Sequence, residues 1–490
     1  MTHHLSRYTR PAIALAFALA LNLPGASTPA KVQAADLPSI GGSGGLISGQ
    51  QEADIGREVM ASIRRSAPQI HDPVVYDYLS AITYRLVPSA PLDDRNLKLA
   101  LVDSPAINAF AVPGGVVGVN GGLFLNAATE QQFASVLAHE LAHLSQRHFA
   151  RRMQQQETSA PLTIAGMIAG IVLSAVTQSD IGIAAIAGTQ AMAVQNMLAY
   201  SRAHEQEADR VGMEILANAG MDPRGMPEMF EIMMRQNRLQ GNRLPEYLST
   251  HPLTQNRVAD SRNRAEQYPE ANIRDTQEYH LVRSRLQVHY SESPARAVEL
   301  FEAYLADTAN QSNDAIRYGL TVAYYHNQQN QKAQQLLEAL LKDHPGRITF
   351  QVTLAETLIS QQKYSQAREL LQSALSRNPG NYPIIATLAD LETADGNGTA
   401  AAEHLRQLTR QFPGREQLWL KLAEAEGLAR NIVGVHRARA EYDALMGDLK
   451  SAQRQLRQAQ EKLPAGSAER QVVDERLGEI TSRLQARNTS

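Results

Sequence analysis

The run Thr129-Glu130-Gln131-Gln132-Phe133-Ala134-Ser135-Val136-Leu137-Ala138-His139-Glu140-Leu141-Ala142-His143-Leu144 decides how the rest of the chain is read. Phe133, Val136, Leu137, Leu141 and Leu144 recur at spacings of three and four, the period of one helix face. Thr129 with Gln132 three residues on is the capping-box pattern that opens a helix. His139 and His143 stand one helical turn apart, so both imidazoles point the same way and can bind one zinc ion. Glu140, next along, is close enough to act as general base on a water at that ion during attack on a carbonyl. The competing reading is two histidines on a solvated helix. The clean helix start and the apolar frame around the motif argue against it.

A catalytic site of this type needs three protein ligands and an open fourth position. A metzincin extension would place a glycine and a third histidine where Gln146 and Phe149 stand, so that branch is excluded. His148 lies five residues past His143, off the metal-facing side, and is predicted to be a surface residue. The acid comes from Ser201-Arg202-Ala203-His204-Glu205-Gln206-Glu207-Ala208-Asp209. Glu205 and Asp209 share a helix face. Glu205 is predicted to be the third ligand, and Asp209 to accept a hydrogen bond from a metal-bound imidazole and fix its tautomer. Glu207 is predicted to be solvated, as the fallback ligand, and His204 to be only a neighbour.

Outward from the site, the chain falls into four parts. Residues 1–34 read as a secretory signal: Arg7 and Arg10, an apolar run from Ala12 to Leu21, then small residues before a cleavage point after Ala34 or Ala35. An N-terminal membrane anchor is the other reading of that run. Residues 35–50, rich in Gly and Ser, read as a flexible linker. Residues 51–275 are predicted to form the zinc metallopeptidase domain that the motif calls for, and 276–490 a repeat domain. Within the former, Leu97, Leu99 and Leu101 alternate like a strand, and 106–119 reads as strand, Pro113-Gly114-Gly115 turn, strand. A sheet edge there could bind peptide by strand addition. The glycines do not match a phosphate-binding loop. Residues 158–179 and 181–201 carry no charge, which raises a transmembrane hairpin; Thr, Ser and Gln interruptions favour a buried or lipid-brushing segment with peripheral membrane contact.

The repeat domain announces itself by period. Ala333, Ala367 and Ala401 are 34 apart, as are Leu337, Leu371 and Leu405, and the pairs Pro345-Gly346, Pro379-Gly380 and Pro413-Gly414. Small residues inside helices with proline at the turn, at that period, are the tetratricopeptide signature. The frame then jumps by 51 to Ala452, Leu456 and Pro464, so half a repeat is inserted near Gly427 to Asp448. An irregular earlier unit starts at Pro294, with Ala297 and Phe301. The fold class is thus mainly α: an α+β peptidase domain with a small sheet, followed by an all-α solenoid.

The chain has 490 residues, a formal net charge of -3 and no cysteine. Disulfides and thiolate metal sites are excluded, and there is no basic footprint for nucleic acid.

The residues 136–143 together with Ser201-Arg202, Glu205 and Ala208-Asp209 resemble the gluzincin peptidase family that includes HtpX, Oma-type and CAAX prenyl proteases. Asn108-Ala109-Phe110-Ala111 with Pro113-Gly114-Gly115 resembles that family's strand region. Taken with the leader and the repeats, the resemblance implies a periplasmic zinc endopeptidase, one Zn2+ per chain. It also implies chaperone-like activity on outer-membrane β-barrel proteins and contact with their assembly machinery. Ser249-Thr250-His251-Pro252 resembles a segment whose histidine can reach the zinc and hold the enzyme idle. His251 is either such a regulatory ligand or a structural helix-start residue. Two other functions stay open: a tetratricopeptide scaffold whose zinc site is latent, and a membrane-embedded enzyme for lipidated proteins.

Overall fold

The computed structural model describes residues 48–155, 201–239, 246–270 and 273–489. The predicted leader, nearly all of the linker and nearly all of the two uncharged runs, 158–179 and 181–201, lie outside the described residues.

The first described helix, Gly49–Ser66, opens on a capping box made by Ser48 and Gln51. The second, Pro73–Leu86, is capped by Asp72, whose carboxylate accepts from the amides of Val74 and Val75, with proline at the first turn where no amide is needed. Three strands follow: β1 (Lys98–Val102), β2 (Ala109–Val112) and β3 (Val116–Asn120). Their order is β1-β3-β2. β2 and β3 form the hairpin expected from the glycine turn, with Gly114 and Gly115 at φ 80° and 73°. β1 pairs with β3 in parallel, Leu99 opposite Val117 and Leu101 opposite Val119. The first helix crosses the hairpin turn so closely that a Cβ on Gly56 would sit 2.8 Å from the Pro113 carbonyl oxygen.

The motif helix, Glu130–Ser145, begins on the capping box of Thr129 and Gln132 and is buried from Glu130 to His143. Phe133 anchors its first turn against Phe124, ring centroids 4.1 Å apart, with Tyr78 and Tyr279 completing an aromatic cluster. Such ring pairs add to plain area burial. Across it lies the helix Arg202–Asn218, ended by Gly220 at φ 68°. A Cβ on Gly212 would approach the His139 backbone nitrogen to 3.2 Å. That close crossing sets Glu205 and Asp209 opposite the two histidines.

The remaining chain is helical from Gln277 to Thr489, apart from turns. The 34-residue period is written in the backbone. Gln328, Gln362, Gly396 and Arg430 each take a positive φ, 58°, 59°, 77° and 60°, at the turn inside a helix pair. Three are not glycine, so the turn itself imposes the left-handed conformation. Where the sequence frame jumps, the chain holds one helix, Ile432–Leu445, followed at once by Leu449–Glu461.

The described residues form one compact unit, without a break in packing near 275. The repeats grip the peptidase half at several places, among them two arginine-centred contacts. Buried Arg285 donates to Glu356 at 2.9 and 3.0 Å, to Tyr318 and Thr353 at 3.0 Å, and to Asp72, the cap of the second helix. Further along, Arg64 of the first helix meets Glu416 at 2.9 Å and the Leu445 carbonyl at 3.0 Å, and the Arg415 guanidinium lies 3.3 Å from the Tyr76 ring centroid. No helix among the described residues is long and apolar enough to cross a membrane.

Candidate metal centre

Four side chains converge at the crossing of the motif helix and the Arg202–Asn218 helix. One ligand atom from each of His139, His143, Glu205 and His251 lies within 4.8 Å of the others, and all four residues are buried. His139 Nε2 and His143 Nε2 are 3.0 Å apart. Glu205 faces both, Oε2 at 3.6 Å from His139 and Oε1 at 3.4 Å from His143. His251 follows the short helix Glu246–Thr250 and enters from the far side, Nδ1 3.0 Å from Glu205 Oε1 and Nε2 3.4 Å from Glu140 Oε1. The Tyr247 ring stacks on it at 4.5 Å.

The donors fit a divalent cation. Imidazole nitrogens and carboxylate oxygen are the set that zinc takes. Both oxygens of Glu140 are buried without a hydrogen-bond partner among the described residues. A buried carboxylate is costly to leave unpaired, and a water at the metal would satisfy it.

Burial works against an ionised Glu205, yet the His251 imidazole and the Arg257 guanidinium hold its carboxyl well below the usual range. Burial pushes His143 well below its ordinary value, toward the neutral form a ligand needs. His139 goes the other way: burial opposes its charge, but the carboxylates of Asp209 and Glu205 bring it up to about 9.

A second layer holds these groups. Asp209 Oδ1 lies 3.0 Å from His139 Nδ1. Arg257, on the helix Gln255–Ala265 capped by Thr254, reaches Asp209 at 2.7 and 2.8 Å, Glu205 Oε2 at 2.6 Å and the Pro252 carbonyl at 2.8 Å. Sequence reading missed Arg257 and Tyr247. One arginine among many on a polar helix carries no spacing signal, and its role arises only when three helices meet.

His148 needs correction. It is fully buried, not a surface residue. The expectation carried the phase of the motif helix past its end. That helix stops at Ser145, Arg147 turns with φ 49°, and a new helix begins at His148. The turn folds the imidazole back, Nδ1 2.9 Å from His143 Nδ1, while burial pushes it down to about 4 against the pull of Glu207. Glu207, only partly exposed, bonds His148 at 3.2 Å and Arg151 at 3.0 Å and stands outside the four-ligand cluster. His204 is buried and stacked on His148 at 4.5 Å.

Comparison with known proteins gives this geometry a family. Residues 75–265 match Peptidase family M48, and residues 290–355 and 358–425 match the tetratricopeptide repeat. A Vibrio cholerae relative is 38% identical over 312 residues, covering 63% of this chain and 64% of its own. The beta-barrel assembly-enhancing proteases of Yersinia pestis and Escherichia coli K12 are each 35% identical over 342 residues, 69% of this chain and 70% of theirs. The mitochondrial metalloendopeptidase OMA1 of Schizosaccharomyces pombe is 29% identical over 247 residues, 48% of this chain and 67% of its own. Matched stretches thus span about two thirds of these relatives. Set beside a buried cluster suited to a metal ion and a periodic helical array, these matches place the chain in Peptidase family M48, as a metallopeptidase that carries tetratricopeptide repeats.

Proposed function

We propose that this chain is a zinc endopeptidase whose ligands are His139, His143 and Glu205 and whose general base is Glu140. The observation that carries this reading is the buried convergence of those donors beside a Glu140 carboxylate whose oxygens accept no hydrogen bond among the described residues. A zinc ion held there supplies Lewis-acid polarisation of a water and of a peptide carbonyl. Glu140 is placed to take the proton of an attacking water and would pass it to the leaving amine. Asp209 fixes His139 through Nδ1, and Arg257 holds Asp209 and Glu205 in place. β2 is an edge strand beside the motif helix, so an extended substrate can add to it through main-chain bonds.

The proposed clients are outer-membrane β-barrel proteins in the periplasm, handled by degradation or by chaperone-like assistance, with their assembly machinery as partner. Support comes from the designation of the Yersinia and Escherichia relatives, from the leader read in residues 1–34, and from the repeat array, a scaffold type that holds partner segments.

A second reading has its own observation. His251 stands where the fourth position of a catalytic zinc would open, and the ligand set is buried throughout. In that form the site is latched and the repeats do the work as a scaffold. Purified mature protein, assayed for bound zinc and for degradation of an unfolded β-barrel client, separates the readings. The peptidase reading expects about one zinc per chain and cleavage that chelator abolishes and added zinc restores. Zinc without cleavage favours the latched form, and absence of zinc contradicts both.

A further inference from the structure

β1 is the second edge of the sheet, opposite β2, and it lines a cavity of about 840 Å³ together with the first helix and repeat segments around Arg415, Leu445 and Arg483. Lys98 donates its amide to the Gly115 carbonyl across the parallel pair, at 2.7 Å. The alternation of a strand's hydrogen bonds then turns the main-chain groups of Leu97 and Leu99 to the outer edge, and both residues line the cavity. That edge is closed at its two ends. The Ile70 amide donates to the Leu101 carbonyl at 2.9 Å, and the Leu97 amide donates to the Tyr84 hydroxyl at 3.2 Å. The open stretch centres on Leu99 and is too short for a strand that runs through.

The cavity is apolar along β1 and strongly basic around it. Seven arginine or lysine side chains line it against two carboxylates, Glu58 and Glu416. Arg64 is matched by Glu416 at 2.9 Å, Arg57 by Asp54, and Arg476 by Glu441 at 2.7 Å. Lys98, Arg415 and Arg483 have no carboxylate at ion-pair distance among the described residues. Arg415 is held flat on the Tyr76 ring, and its Nη1 is buried without a hydrogen-bond partner there. Burial, with Arg57 and Arg64 nearby, holds the Lys98 ammonium below its ordinary value, and Asp94 offsets this only in part. Burial, with Arg476 and Arg57, does the same to Arg483. Such crowding of like charge is relieved by an anion.

We propose that this cavity is a docking site for the C-terminal end of an extended polypeptide: its main chain adds to β1 at Leu99, its apolar side chains pack along the strand, and its terminal carboxylate is held by Lys98, Arg415 and Arg483. A chain end suits both features at once. It needs only a short free edge, and it carries its charge on the main chain, where edge addition delivers it. Guanidinium groups already oriented by stacking and packing lose little freedom on taking a carboxylate. A client held here by its end, at one edge of the sheet, leaves the β2 edge beside the motif helix for another stretch of the same chain. The site does not depend on the zinc reading, because binding and cleavage are read separately.

The test is fluorescence anisotropy on the full mature chain with short N-terminally labelled peptides of valine, threonine and leucine, whose masses are checked after each titration. The free-acid peptide should bind, and its C-terminal amide should bind about tenfold more weakly or worse, the loss of one charge-assisted contact. Arg483→Gln and Lys98→Gln should weaken the free acid by a similar factor and leave the amide unchanged, a pattern that a merely unfolded variant would not give. Methylating the peptide nitrogens should weaken the free acid as well, because it removes edge bonding. No binding of the free acid, or acid and amide within about twofold of each other, overturns the proposal. So does an amidated peptide with an internal glutamate that binds as tightly as the free acid, since the cavity would then read any carboxylate. If Lys98→Gln does not fold, Arg483→Gln on the last helix decides.

Discussion

Arg257 Nη1 lies 2.6 Å from Glu205 Oε2, while its other nitrogens grip the carboxylate that supports His139. One guanidinium therefore fixes both a ligand and the partner of another ligand. Removing it leaves two buried carboxylates without their cation, and breaking such a pair costs about 3–5 kcal/mol. Arg257→Ala should lose that much stability in denaturant melts and bind zinc more weakly. Arg257→Lys should rescue poorly, because a single ammonium cannot span both carboxylates. Full rescue by lysine would show that charge alone matters.

His251 reaches both Glu205 and Glu140, and Tyr247 stacks behind it. If it latches the site, His251→Ala should keep its zinc and degrade an unfolded client faster. A tenfold gain corresponds to a latch of about 1.4 kcal/mol. Equal rates in the two proteins assign His251 a structural part.

Asp77 lines a cavity of about 760 Å³ between the second helix and the repeats. Burial, reinforced by Glu278, raises its carboxyl to about 6 from an ordinary 3.8. The folded chain holds this proton more tightly than the unfolded chain. Stability should therefore fall as pH rises from about 4 to about 6, and stay lower above that. Two units correspond to at most about 3 kcal/mol. Asp77→Asn should flatten that slope and be more stable than the parent at pH 7. A parent whose stability rises across pH 4–6 in the same proportion as Asp77→Asn would contradict the assignment.

Arg285 ties the cap residue Asp72 to Tyr318, Thr353 and Glu356. Arg285→Ala should destabilise the chain by about 3–5 kcal/mol, since Glu356 and Asp72 lose their shared cation. Limited proteolysis should then cut first between the peptidase half and the repeats. Unchanged protection there would mean that the other contacts between the halves, such as Arg64 with Glu416 and Arg283 with the Phe124 carbonyl, suffice.

Local features were the most legible in the sequence. The capping box at Thr129, the glycine hairpin and the 34-residue frame each depend on residues close in the chain, and each predicted element stands near its expected bounds. The pairing of β1 with β3 was not legible, because parallel pairing leaves no turn between partners. His148 was misread because helical phase holds only while the helix runs, and nothing at Gln146-Arg147 marks a break. Arg257 and the Arg285 hub come from distant segments that meet only in three dimensions. The spacing of Glu205 and Asp209 was readable as one helix face, whereas their shared guanidinium was not.

Glu140→Gln tests the central claim most directly, because it keeps the side chain's size while removing its basicity. Zinc content and client degradation should be measured on parent and variant together. Equal zinc, with cleavage by the parent and a loss of about 100-fold or more in the variant, is the expected result. Equal zinc with undiminished cleavage by Glu140→Gln would remove Glu140 from the chemistry and contradict the proposed mechanism.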